Sequence, residues 1–166
     1  MRRMQLPFIA ALALLLAACG FHLRGDAKMP FTTLHIEAAD SLLVSELRDN
    51  LQASHVQLVS KAEQADVVLN IAYDVAEKQI LTLGGSGRVS EFQLRYRISL
   101  RAYDLQQRTW LPAEELQMHR DYAYDDTKIL AKEAEEALLY QSMRSDMVQQ
   151  IMRRLSRAKP VDQAQK

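Results

Sequence analysis

The chain has 166 residues, with 21 Lys and Arg against 21 Asp and Glu, a formal net charge of zero. That balance argues against the strongly basic footprint of a nucleic-acid-binding protein. A single cysteine excludes an intramolecular disulfide and a cysteine-built metal cluster, and the length suits one domain once a targeting segment is set aside.

The first residues have three parts. Arg2 and Arg3 supply positive charge, Leu6 to Leu16 is apolar apart from Pro7, and small residues follow at Ala17 and Ala18. This is the layout of a secretory signal peptide, expected over 1–18. The apolar stretch falls short of the ~20 residues a spanning helix needs, and no later segment is apolar enough to cross a bilayer. Leu16-Ala17-Ala18-Cys19 resembles the bacterial lipobox, in which the cysteine is lipidated and becomes the first residue of the mature chain. The chemistry is coherent, because a thiol is the only side chain here that can take a thioether-linked diacylglycerol. Two or more acyl chains anchor stably where one does not. The dull alternative is a secreted protein with a stray free thiol.

Residues 19–31 carry Gly20, Gly25 and Pro30 and read as a lipidated tether. A single domain is expected over 32–158. Thr32 to Ile36 is short and β-branched, a first strand. Asp40 or Ser41 caps a helix running to about Ser54, its stripe formed by Leu43, Val44, Leu47 and Leu51. A short strand is expected at Val56–Val59. Over 67–75 the period drops to two, with Val67, Leu69, Ile71, Tyr73 and Val75 assigned to one face. Gly84-Gly85-Ser86-Gly87 marks a turn.

The next strand alternates most clearly: Phe92, Leu94, Tyr96, Ile98, Leu100 and Ala102 on one face, Arg95, Arg97 and Arg101 on the other. After a turn at Asp104–Thr109, a third long strand places Leu116, Met118 and Tyr122 opposite Glu115, Gln117, His119 and Asp121. A final helix starts between Thr127 and Ala131 and runs to about Ala158. Leu139, Met143, Met147, Ile151 and Leu155 recur along it every four residues, and Arg153, Arg154 and Arg157 complement its dipole. Residues 159–166, polar and holding Pro160, are expected to be a disordered tail. The sum is an α+β fold with two helices on one face of a mixed, mostly antiparallel sheet and an exposed opposite face carrying Arg95, Arg97 and Arg101.

No catalytic constellation emerges, so the chain is read as not an enzyme, with no cofactor. A Walker loop needs Lys-Ser or Lys-Thr after its last glycine, whereas Arg88-Val89 leads into a strand. Ser86 lacks a G-x-S-x-G elbow. His22, His35, His55 and His119 form no H-x-x-x-H or H-E-x-x-H pair. Lys132 precedes Glu135 by three residues and Glu136 by four, the spacing of solvated helical ion pairs. Glu133, Glu135 and Glu136 therefore give no support to paired-carboxylate catalysis.

The opening of the mature chain, Cys19-Gly20-Phe21-His22-Leu23-Arg24-Gly25, resembles that of the LptE family of lipopolysaccharide-assembly lipoproteins. Glu91-Phe92-Gln93-Leu94, Arg120-Asp121-Tyr122, Leu130-Ala131-Lys132-Glu133 and Ile151-Met152-Arg153-Arg154-Leu155 continue the resemblance in order across most of residues 19–157. The loop at Gly84–Gly87 is more glycine-rich, and the tail beyond Ala158 shorter, than the family pattern. The resemblance implies two helices against a four-stranded sheet. It also implies outer-membrane placement facing the periplasm, favoured by Gly20 rather than Asp after the cysteine, and a role as plug and assembly factor for an LptD-type barrel that inserts lipopolysaccharide. Arg88, Arg120 and Lys132, expected at one end of the sheet, are the candidate lipopolysaccharide contacts, and Arg120 and Lys132 match basic positions of the family. An anchored binding module for peptidoglycan or a small periplasmic ligand is the alternative, and it would need a concave aromatic pocket.

Overall fold

The computed structural model describes residues 28–161. The expected signal peptide, Cys19 and most of the expected tether lie outside the described residues, as do 162–166. In chain order the elements are β1 (Thr33–Glu37), α1 (Leu42–Ala53), β2 (Gln57–Leu58), a 3-10 turn (Ala62–Gln64), β3 (Val67–Leu83), β4 (Val89–Tyr103), β5 (Thr109–Ala123), a second 3-10 turn (Asp126–Lys128) and α2 (Ile129–Leu155). The five strands form one sheet in the order β2-β1-β3-β4-β5. Short β1 runs parallel to both neighbours, and the three long strands are antiparallel. The sheet therefore has one strand more than the family resemblance implied, the extra being the two-residue β2.

Both helices lie on one face. Ser41 caps α1 by accepting from the Val44 amide at 3.2 Å. The stripe Leu43, Val44, Leu47 and Leu51 is fully buried, as are Met143, Met147, Val148, Ile151 and Leu155 of α2. The helices are stapled by Glu46, which accepts from Arg144 Nε at 3.2 Å and Ser145 Oγ at 2.6 Å. From the sheet, Leu69, Leu94, Ile98 and Leu100 close the core.

Two expectations needed correction. The period-two reading put Tyr73 and Val75 on the same face as Ile71. A register shift between Ile71 and Tyr73 inserts Ala72 as an extra residue, so Tyr73 lies opposite Ser99 and Val75 opposite Arg97. A one-residue insertion moves every following side chain to the other face. Ordered structure also passes the expected boundaries. Met29 and Phe31 join the core before β1. Helix α2 ends at Leu155, Ala158 is buried, and Val161 pairs with Thr109 through bonds of 2.9 and 3.1 Å.

The molecule has two ends. At the proximal end β1, β3 and β5 begin, β4 finishes and α2 terminates. At the distal end lie the β3–β4 turn, the finish of β5 and the start of α2. Gly87 sits at the distal turn with φ +77°, a conformation that favours glycine.

Candidate functional site

The open sheet face is a lattice of polar side chains paired with one another. Across neighbouring strands Arg97 donates to Glu77 at 3.0 Å and Gln93 to Asp121 at 3.0 Å, and within β4 Arg95 donates to Gln93 at 2.8 Å. Tyr73 donates a short bond to Glu115. Asn70 reaches Glu37 at 2.9 Å, and Arg101 lies over the Tyr103 ring at 5.2 Å. Arg95, Arg97 and Arg101 thus occupy the face expected of them. Arg97 Nε is buried there without a partner in the described structure.

On the helix-facing side near the distal end sits a cluster that the sequence did not reveal. Lys78 Nζ lies 2.5 Å from Glu136 Oε2 and 4.2 Å from the centroid of the Phe92 ring. Tyr122 donates to the same Glu136 oxygen at 2.6 Å. Phe92 stacks on Tyr122 and meets Tyr124 edge-on. Burial favours the neutral form of Glu136, but the Lys78 ammonium and Tyr122 hydroxyl outweigh it and hold the carboxyl below its ordinary range. For Lys78, burial pulls downward and the bonds to Glu136 and Tyr122 more than compensate, so the net direction is up. Burial, then the Glu136 carboxylate, pushes the Tyr122 phenol up to about 12. Lys78 faces α2 only because of the bulge at Ala72, which is why period counting missed the cluster.

The three candidate cations are placed unequally. Arg88 follows the β3–β4 turn and pairs with Asp126 at 2.9 Å. Lys132, one turn into α2, pairs with Glu135 at 2.7 Å, and Asp125 is held below its ordinary range by the Thr127 bonds, with smaller help from Lys128 and Lys132. Arg88 and Lys132 therefore flank the Asp125–Asp126 pair at the distal end. Arg120 points elsewhere: it pairs with Asp146 at 3.1 Å, roughly 20 Å along α2 from Lys132 at ~1.5 Å per residue. Lys132 takes Glu135, and Glu136, its other neighbour at helical spacing, goes to Lys78.

At the proximal end a groove of about 630 Å³ is lined by Phe31, Glu63, Asp66, Leu105, Arg108 and Trp110, among others. Beside it is Asp104, 3% exposed. It accepts from the Arg108 amide at 2.9 Å, Arg108 Nε at 2.8 Å and Trp110 Nε1 at 3.1 Å. Burial raises the Asp104 carboxyl, and these bonds, led by Trp110, more than reverse the effect. Asp66 is drawn down to about 2 by the Thr33 amide and the Thr32 hydroxyl. Both carboxylates hold chain segments in place.

Among the described residues no group of three or more His, Cys, Asp or Glu is arranged to hold a metal ion. No described helix is long and apolar enough to cross a membrane. His35 bonds the Val59 carbonyl at 3.0 Å, a structural contact. Cys19 and His22 fall outside the described residues.

Comparison with known proteins gives this geometry a family. Residues 31–155 match the model of the lipopolysaccharide-assembly family LptE. The LPS-assembly lipoprotein LptE of Pectobacterium atrosepticum is 28% identical over 93% of this chain and 86% of its own length. That of Yersinia pestis is also 28% identical, over 93% of this chain and 77% of its own. Among solved structures, lipoprotein B from Nitrosomonas europaea aligns with a TM-score of 0.72 at 36% identity, covering 82% of this chain and 90% of that one. Rare lipoprotein B from Shewanella oneidensis gives 0.64 at 26% identity, over 73% and 91%. The chain is a member of the LptE family of lipopolysaccharide-assembly lipoproteins.

Proposed function

We propose that the mature chain is acylated at Cys19, held on the periplasmic side of the outer membrane, and seated as a plug in an LptD-type β-barrel whose assembly it assists. In that position it takes part in moving lipopolysaccharide to the outer leaflet. Family membership supports the pathway. The observation that carries the plug reading is the open sheet face: its charges and hydroxyls are paired within the face, which suits the polar, water-filled interior of a wide barrel.

Arg88, Arg120 and Lys132 are the proposed contacts for lipopolysaccharide phosphates. Arg88 and Lys132 form one distal locus and Arg120 a second contact on the β5 side. Each now holds an acid of the chain, and exposed pairs such as those of Arg88 and Arg120 are worth only ~0–1 kcal/mol. A phosphate offering charge-assisted bonds exchanges for them at little cost.

Depleting the protein is expected to reduce the amount of correctly folded barrel and to raise permeability to large hydrophobic antibiotics; undiminished barrel maturation counts against the role. Reversing Arg88, Arg120 and Lys132 to acids is expected to weaken lipopolysaccharide binding while leaving the melting temperature within a few degrees. Unchanged binding by the folded variant places the contact elsewhere.

A further inference from the structure

At the proximal end Arg108 and Arg154 are ion-paired, but other exposed cations there are not. At the distal end Lys78, Arg88, Lys128 and Lys132 all stand in ion pairs. Lys28, Lys61, Arg153, Arg157 and Lys159 form no ion pair among the described residues, all are exposed, and the fold gathers them at the proximal end. Lys28 precedes the buried Met29 at the entrance to β1, and Lys61 opens the 3-10 turn beside the groove. The other three lie on the last turn of α2 and just past it, where Val161 meets Thr109. Of the nearby acids, Asp66 is held by Thr32 and Thr33 and Asp104 by Arg108 and Trp110, which leaves Glu63, exposed at the groove, against the five cations.

The same end presents apolar surface. Leu105 is 51% exposed and Val161 56% exposed. Trp110, half-buried, lines the groove and meets Phe31 edge-on at 5.9 Å. Tryptophan favours the headgroup level of a bilayer, where its amphipathic ring is half solvated.

Chain length limits which surface this end can meet. If Cys19 carries the lipid, only residues 20–28 separate it from Met29, a reach of at most ~35 Å even fully extended. The distal turn is roughly 50 Å away along β3, at ~3.3 Å per residue. The unpaired cations are therefore at the end that the tether keeps beside the headgroups.

We propose that the proximal end docks on anionic phospholipid headgroups, with Lys28, Lys61, Arg157 and Lys159 as the electrostatic contacts and Leu105, Trp110 and Val161 at the interface. The cations give the acylated cysteine a second, orienting attachment. The assignment rests on lipidation at Cys19 for its geometry, not for its chemistry, so the two are separable by experiment.

Trp110 is the only tryptophan in the chain and reports on the docking end directly. The acylated protein is reconstituted into neutral phosphatidylcholine vesicles and into vesicles with about 30% phosphatidylglycerol. On the anionic vesicles Trp110 emission is expected to shift to shorter wavelength and to be quenched by brominated lipid, with both effects reversed by about 0.5 M salt, where the Debye length is only a few ångströms. Changing Lys28, Lys61, Arg157 and Lys159 to Gln is expected to abolish the difference between the vesicles. A non-acylated Cys19→Ala chain is expected to sediment with the anionic vesicles alone, losing roughly fivefold in partitioning per cation removed. If the parent does not float with neutral vesicles the anchor fails, and the Cys19→Ala chain still tests the docking. The docking is overturned by identical Trp110 emission on both vesicles, or by a quadruple variant that behaves like the parent. It is also overturned if that variant keeps lipid binding and loses only a co-purifying protein, which assigns the patch to an acidic protein surface.

Discussion

The proximal and distal halves of this domain use the same strand-and-helix vocabulary and arrive at different physics. In the proximal half five strands lie under two helices, and Leu34, Leu43, Leu47, Leu51, Leu69, Ile151 and Leu155 are fully buried. In the distal half three strands lie under one helix. There Ile80 is 58%, Leu83 57% and Leu130 82% exposed, although these residues are as apolar as those of the core. The cause is coverage. Strand β1 pairs with β3 only from Val67 to Asn70, so beyond that point β3 is an edge with an open row of backbone groups. Charge follows the division in part: the cations around the distal turn are matched within the chain, whereas Lys28, Lys61, Arg153, Arg157 and Lys159 form no ion pair among the described residues.

The largest effects are expected in the proximal core. Leu51→Ala removes a fully buried side chain from α1, and buried Leu→Ala changes cost about 2–5 kcal/mol. Asp104→Ala strips the acceptor from Trp110 Nε1 and from the half-exposed Arg108, and hydrogen bonds to a charged group are worth about 1.5–3 kcal/mol each. At ~2–4 °C per kcal/mol for a domain of this size class, each is expected to lower the thermal midpoint by roughly 5–15 °C. A loss below about 2 °C from either variant would show that the proximal half is not the closed unit described.

What the sequence made legible follows the same line. Where cover exists on both sides, period counting works. The stripe of α1 and that of α2 from Met143 to Leu155 lie where their spacing put them, and so does the alternation of β4, central in the sheet. Where cover ends, the pattern loses its constraint. The bulge at Ala72 leaves no periodic mark, because Tyr73 and Val75 are apolar and fit either face, and nothing local tells the reader that Lys78 turns toward α2. Strand β2, Gln57–Leu58, falls within the short strand expected at Val56–Val59. The grouping of Arg88 with Lys132 follows from the antiparallel order of β3, β4 and β5, whereas Arg120 sits on the helix-facing side and takes Asp146. Rotation about a long side chain is set by tertiary partners, not by position on a strand.

The Lys78–Glu136 contact is the main polar link between the distal part of β3 and α2, and it predicts an intermediate effect. Lys78→Met removes one ion pair and the contact with Phe92 while Tyr122 still satisfies Glu136. With a partly exposed pair worth ~0–1 kcal/mol and an exposed cation–π contact ~0.5–1 kcal/mol, the expected cost is about 1 kcal/mol. The pH dependence has a definite sign. Glu136 is held below its ordinary value, so its contribution is complete above about 4.3 and fades as pH falls through the depressed value. Lys78 is raised, so its contribution is complete below about 10.4 and fades above it. The stability difference between parent and Lys78→Met is therefore expected to be flat across neutral pH and to shrink toward both extremes. A difference that grows on acidification would remove Glu136 as the partner.

The smallest stability effect belongs to the distal apolar residues. Ile80→Thr and Leu83→Thr take little from the core, because more than half of each residue is already in water, and threonine is β-branched, as an extended strand favours. Surface substitutions away from buried features change stability by about 0.5 kcal/mol or less, so the thermal midpoint of the double variant is expected to stay within about 2 °C of the parent. An exposed, apolar edge strand is an association hazard unless something covers it. The isolated variant is therefore expected to resist concentration-dependent aggregation better than the parent in light scattering. In cells, if the distal half is the part seated inside a barrel, the same two changes are expected to lower the yield of the co-purified complex despite their neutral effect on folding. A double variant that melts normally, aggregates as the parent does and co-purifies undiminished would mean that the exposed edge of β3 meets no partner, leaving the paired polar lattice of the sheet face as the contact surface.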